Sequence, residues 1–174
     1  WRKYRRRFEK ILAEQEGVPL SSVQLLCPLP RPSKCLAAFV NYVDRPDRSP
    51  ESLPNEYFYK SPDLVGPGGT IELRDIPAAV VHQPEAEFAF VIGKTAKDVS
   101  ESKALDYVFG YVPFFDVSTR GMMRRTQFIP KGQDSHGACG PWIITKDEIP
   151  DPHNVVVKSW TSGEPRQNYN TKYM

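Results

Sequence analysis

Apolar residues recur at helical spacing at the start of the chain. Trp1, Tyr4, Phe8, Ile11 and Leu12 share one helical stripe with Arg and Lys between them, which predicts a helix over 1–16 stopped by Gly17, Val18 and Pro19. A linker with Pro28, Pro30 and Pro32 follows. Beyond it the pattern changes to short apolar runs between turn residues. CLAAFV (35–40) reads as a buried strand and EYFYK (56–60) as a short one, with strand-like pieces at 70–73 and 79–82. PEAEFAFVIGK (84–94) is the clearest strand. YVFGYVPFFD (107–116) is apolar, with Gly110 and Pro113 breaking its regularity, and GPWIIT (140–145) and NVVVKSW (154–160) add two strands. Between them lie a polar, proline-broken excursion (41–54), a turn-rich segment (61–70), a short helix capped by Ser100, a basic loop from Arg120 to Lys131, and a turn at 161–165.

This pattern predicts a mostly β (α+β) fold: mixed sheets folded over one another as a roll or sandwich, with short peripheral helices and an N-terminal helix. Residues 1–34 divide off as helix and linker, and 35–174 as one domain. Proline supports the reading: 17 of 174 residues is about twice the usual share, which disfavours long helices.

Charge narrows the function. Of 23 Lys and Arg and 21 Asp and Glu, residues 1–10 hold six bases and one acid, leaving the body with 17 bases and 20 acids. A nucleic-acid-binding face needs cations spread along the fold, so none is expected. No apolar run is long enough to cross a bilayer, and the basic start lacks the apolar stretch of a secretory signal, so no membrane partner is expected and an intracellular, cytoplasmic location is, with mitochondria as the variant. Cys27, Cys35 and Cys139 are odd in number and lack C-x-x-C spacing, which argues against both a disulfide framework and zinc. Cys35 and Cys139, in apolar or small-residue surroundings, read as core.

Candidate chemistry centres on carboxylates. In a strand, Glu85, Glu87, Ala89 and Val91 share a face, which sets the two carboxylates ~6.6 Å apart. A divalent cation between them would relieve their repulsion; two acids facing water at a strand end would explain the same spacing. Asp116 closes an uncharged apolar run, as either a ligand or a turn cap. Three converging carboxylates would make an oxygen-only site suited to Mg²⁺, Mn²⁺ or Ca²⁺. Arg120 and Lys131 could hold an anion beside such a cation, or be solvated loop residues.

The stretches FVNY (39–42), FYKSPDLVGPGGTIEL (58–73), EAEFAFVIGK (85–94), ALDYVFGYVPFFDVSTR (104–120), KGQDSHGACGPWIIT (131–145) and SGEPRQNYNT (162–171) together resemble the fumarylacetoacetate hydrolase family. The resemblance covers most of residues 35–174 in order. It implies a β-roll around a central metal site, a homodimer, and cleavage of C–C bonds or decarboxylation of small oxo acids with Mg²⁺, Mn²⁺ or Ca²⁺. It implies Glu85, Glu87 and Asp116 as metal ligands, Arg120 near the substrate, and Lys131 as the cation that stabilises developing negative charge.

Two departures stand out. The family's hydrolases often carry an N-Y-x-x-H-x-x-E lid whose His and Glu activate water; here the stretch is Asn41-Tyr42-Val43-Asp44-Arg45-Pro46-Asp47-Arg48, with no His. A metal-held water or Asp44 would have to substitute. His82 reads as a satisfied core residue, whereas His136 could approach the site. The chain also stops at Met174, before the family's T-G-T-P-x-G strands, so the 35–174 catalytic domain is expected to lack its C-terminal strands and to need an association that covers exposed sheet edges. The expected function is a metal-dependent hydrolase cleaving a C–C bond in an acylpyruvate-like 1,3-dioxo acid. A 2-oxo acid decarboxylase or related lyase, and a non-catalytic relative, are the alternatives.

Overall fold

The structure is a computed structural model and describes residues 2–43, 45–121 and 127–174. In chain order it contains helix α1 (Arg2–Glu14), strands β1 (Leu36–Ala38), β2 (Tyr57–Tyr59), β3 (Val81–Ile92) and β4 (Val108–Arg120), the one-turn helix α2 (Phe128–Lys131), and strands β5 (Gly137–Cys139), β6 (Ile144–Thr145), β7 (Val156–Thr161) and β8 (Glu164–Asn170). The fold is mostly β, as the pattern implies. No described helix is long and apolar enough to cross a membrane.

β4 organises the rest. It pairs antiparallel with β3 along its whole length and with β5 and β6 on its other edge. A strand flanked on both edges and covered on both faces is expected to be a continuous apolar run, and Val108, Tyr111, Val112, Phe114 and Val117 are all buried. Gly110 and Pro113 do not end the strand, and the register shifts beside Gly110, between Val91 and Ile92, the irregularity the sequence suggests there. Gly110 is needed where β6 crosses, because a Cβ there would stand 2.3 Å from the Ile144 carbonyl oxygen. The proline needs no N–H at position 113, where its carbonyl accepts from Gly140.

β1 and β2 form a separate two-stranded ribbon, and β7 and β8 another. Val112, Phe114 and Cys139 make the core, with Cys27, Leu29, Cys35, Leu64, Ala89, Val91 and Ile143 packed on it. Cys35 and Cys139 are thus core, as expected. The β7–β8 ribbon docks on the free edge of β3: the Gln167 amide oxygen accepts from Ala86 N–H at 2.7 Å, and the Tyr169 hydroxyl donates to Ala86 O at 2.8 Å.

Several expectations are corrected. Residues 70–73 form no strand; Val65 makes a single parallel bridge with Ala138, and the chain after it is irregular. Of 140–145 only Ile144–Thr145 is a strand, since Gly140 has φ +144° and precedes a proline. Turn 161–165 shrinks to Ser162-Gly163, both at positive φ, and β8 begins at Glu164. Its polar sequence EPRQNYN hid that strand. The element after Ser100 is a 3₁₀ helix (Glu101–Tyr107) with no side-chain cap; the serine hydroxyl pairs with Ser102 instead. Helix α1 lies at the surface: Tyr4, Ile11 and Leu12 are exposed, and Arg5 reaches Asp147 at 3.6 Å. Trp1 lies outside the described residues.

The tight crossing at Gly110 gives a direct test. Gly110→Ala forces a methyl into the Ile144 carbonyl, and urea unfolding is expected to show a loss of about 1–3 kcal/mol.

Candidate metal centre

Register places the key carboxylates. Glu85 on β3 stands directly opposite Asp116 on β4, and Glu87 opposite Phe114. Opposed residues of an antiparallel pair project to the same face, so Glu85, Glu87 and Asp116 share one face with Val112, Phe114, Ala89 and Val91. One oxygen from each carboxylate lies within 4.8 Å of the others. The sequence expectation for these three is met in space: the two strand glutamates and the distant aspartate converge.

Like charges directly opposite one another are destabilising in a sheet, and here one of them is deeply buried. Asp116 is 3% exposed. Three cations answer the carboxylates. Lys131, at the end of α2, sets its Nζ 2.6 Å from Glu85 Oε2 and 2.7 Å from Asp116 Oδ2. Arg120, at the end of β4, donates from Nη2 to Glu85 Oε1 and from Nε to Gln83 Oε1 at 3.1 Å. Lys60, immediately after β2, places its Nζ 2.7 Å from Asp116 Oδ1 and donates to Val117 O at 3.1 Å. Neither Arg120 nor Lys131 is the solvated loop cation that sequence alone left open.

Lys60 is the residue that sequence reasoning missed. Its signal was parity: Tyr57 and Tyr59 are exposed while Phe58 is buried, and the next position in phase is Lys60, with a fully buried side chain. A lysine on the buried phase of a strand requires an acidic partner. Burial lowers its pKa, and Asp116 opposes that shift. Phe58 closes the same wall, its ring 5.1 Å from Lys131 Nζ.

Glu87 differs from its neighbours. Among the described residues no cation stands within ion-pair distance of it. Burial, then the Asp116 and Glu85 charges, push its carboxyl up to about 7. Beside it sit Tyr42 and Tyr169, ring centroids 5.1 Å apart and edge-on. Burial and the Glu87 charge raise both phenols, Tyr42 to about 12, so both are proton donors at neutral pH. Glu87 also lines a cavity of about 420 Å³ walled by the Val65–Gly69 loop, Phe114, Pro141 and Lys158.

The histidines divide. His82 pairs through Nδ1 with Thr119 Oγ1 at 3.0 Å, a satisfied residue as expected. His136 is fully buried and meets His82 edge-on, ring centroids 5.8 Å apart. It makes no ion pair with the carboxylates, but burial lowers its pKa, and Lys60 and Asp116 both act on its charge. Asp44, the substitute base considered beside a metal-held water, lies outside the described residues.

The donor set suits a hard divalent cation: three carboxylates, all oxygen. Asp116 Oδ1 is buried and makes no hydrogen bond; Lys60 neutralises it at 2.7 Å without the direction of one. Glu87, whose carboxyl is raised by burial and by the Asp116 and Glu85 charges, would ionise beside a cation.

Two tests follow. Lys60→Met strands a buried carboxylate with half its counter-charge, and urea unfolding is expected to show a loss of about 2–5 kcal/mol. For Glu87 the sign is fixed by its shift. The unfolded chain loses this proton near 4.5 and the folded chain near 7. Between those values the folded state binds more protons, so its contribution to stability falls as pH rises. Metal-free protein melted from pH about 5 to about 7.5 should lose stability relative to Glu87→Gln across the window; parallel curves would contradict the assignment.

The comparisons with known proteins agree with this geometry. The family model for the fumarylacetoacetate (FAA) hydrolase C-terminal domain matches residues 34–174. The chain is 35% identical over 169 residues to a mitochondrial oxaloacetate tautomerase of Xenopus laevis, covering 93% of this chain and 52% of that protein. It is 32% identical over 178 residues to maleylpyruvate hydrolase of Aquipseudomonas alcaligenes, covering 95% and 61%. The crystal structure of maleylpyruvate hydrolase from Sphingobium sp. SYK-6 in complex with manganese(II) and pyruvate superposes with a TM-score of 0.84 at 32% identity, covering 99% of this chain and 61% of that one. The chain thus spans about half to three fifths of the length of these relatives. With its acidic centre on the β3–β4 register and most of its length matched, the chain belongs to the fumarylacetoacetate hydrolase family.

Proposed function

We propose that this chain carries the metal centre of a divalent-metal-dependent enzyme that cleaves a C–C bond in a small acylpyruvate-like oxo acid. The observation that carries the reading is the convergence of Glu85, Glu87 and Asp116, oxygens within 4.8 Å, inside a ring of three cations. The Sphingobium relative binds manganese and pyruvate, a hard ion and a 2-oxo acid. Glu85, Glu87 and Asp116 would hold Mg²⁺, Mn²⁺ or Ca²⁺. The cation would supply Lewis-acid polarisation of the oxo and carboxylate oxygens.

The chain's own groups do the rest. Arg120 and Lys131 bind and orient the acid. Lys131 stabilises the enolate charge that builds up as the bond breaks. Tyr42 and Tyr169, protonated at neutral pH, flank Glu87, Tyr169 with its hydroxyl proton on Ala86 O. The charge balance supports a substrate with two carboxylates. Three acids and three bases cancel, so a divalent ion leaves an excess of two that a dianion neutralises.

A second reading within the family rests on the lid. Residues 41–48 contain no histidine to activate water, and a decarboxylase, lyase or tautomerase acting on a 2-oxo diacid needs no attacking water. The Xenopus relative is an oxaloacetate tautomerase. A homodimer is proposed on the family resemblance, and the long, partly exposed sheet edges give it a physical reason: Val81, Phe90, Ile92 and Val156 are exposed.

Product analysis decides between the readings. With Mn²⁺ and an acylpyruvate, hydrolysis releases two acids and no CO₂; release of CO₂ alone moves the assignment to the lyase reading. Glu85→Ala is expected to reduce turnover at least ~100-fold, as chelation does. Turnover unaffected by both would overturn a metal-dependent enzyme of either kind.

A further inference from the structure

Each oxygen of Glu85 and Asp116 lies against a cation. Arg120 engages Glu85 Oε1 and Lys131 engages Oε2; Lys60 neutralises Asp116 Oδ1 and Lys131 engages Oδ2. A divalent ion seated between the two carboxylates meets the positive charge already placed there. Which cation moves can be read from what else each holds. Lys60 is anchored a second time by Val117 O, and its side chain is fully buried. Arg120 is anchored a second time by Gln83. The Lys131 ammonium has the two carboxylates and the Phe58 ring face. It alone bridges two of the three acids, so its departure frees an oxygen on each in one movement.

The geometry points to Lys131 as an internal cation that occupies the metal seat between Glu85 and Asp116 and yields it to the divalent ion. This rests on the metal reading above and goes beyond it, because it gives the lysine two stations. Without metal the ammonium bridges the carboxylates and keeps the opposed pair neutral. With metal it is expelled from between them and turns to the anion held there. Metal binding and the readiness of Lys131 for substrate are then one event. The exchange opposes metal affinity, since two close ion pairs must break before the ion is seated.

Calorimetric titration of Mn²⁺ without substrate tests this on wild type and Lys131→Met, with near-ultraviolet circular dichroism to verify the variant's fold. The variant is expected to bind Mn²⁺ at least ~10-fold more tightly, because the competitor is gone. Equal or weaker binding by a folded variant overturns the exchange and leaves the metal site standing. Absence of Mn²⁺ binding in both proteins strikes the metal reading itself, and the exchange with it. Should the variant fail to fold, reductive dimethylation of wild type, read by mass spectrometry, serves instead. Lys131, 4% exposed in this structure, is expected to be labelled several-fold faster at saturating Mn²⁺ than without it. Labelling unchanged by Mn²⁺ overturns the proposal.

Discussion

Two carboxylates face each other across the β3–β4 ladder, Glu85 against Asp116. Like charges directly opposite one another destabilise a sheet, and here the aspartate is buried. Everything around it cancels that charge. The strand that bears Asp116 ends in Arg120, the ribbon beside it ends in Lys60, and the one-turn helix that follows ends in Lys131. Each cation arrives from a different segment, so the centre forms only when the tertiary fold does. A buried ionic network of this kind adds little net stability. Its persistence in an otherwise ordinary β-fold is a sign of function.

The architecture explains how such a centre is held rigid. β4 is sandwiched between strands on both edges and packed on both faces, so Asp116 cannot move away from Glu85. Gly110 allows β6 to cross closely, and the β7–β8 ribbon clamps the β3 backbone at Ala86, between the two glutamates. Tyr169 performs this clamping while standing beside Glu87 and Tyr42. Among the described residues, Glu87 is the one acid of the three with no cation at ion-pair distance, and burial with the neighbouring acids raises its pKa.

Much of this was legible in the sequence, for physical reasons that differ by element. Period-two alternation in PEAEFAFVIGK put Glu85 and Glu87 on one face, and the uncharged run before Asp116 marked a buried strand. That the two strands pair with Glu85 opposite Asp116 is a long-range fact that no local pattern carries; the resemblance implied only that the three acids share a metal. Gly110 and Pro113 read as irregularities in an apolar run, and a central strand with neighbours on both edges accommodates them, with a register shift beside Gly110. Strand β8 was hidden by its polar composition, since it stands on the molecule's surface and needs no apolar face of its own. Lys60 escaped because a lysine in a short aromatic strand is ordinarily exposed, and only its phase with Phe58 pointed inward. Ser100 looked like a helix cap on local grounds and bonds instead to its neighbour.

The central claim is that the opposed carboxylates and Glu87 jointly seat one divalent ion. Anomalous diffraction at the manganese edge, from crystals soaked in Mn²⁺, addresses it most directly. A single peak within coordination distance, ~2.1–2.3 Å, of oxygens from Glu85, Glu87 and Asp116 is the expected result. A map with no peak there, and with Lys131 still bridging Glu85 and Asp116, would contradict it.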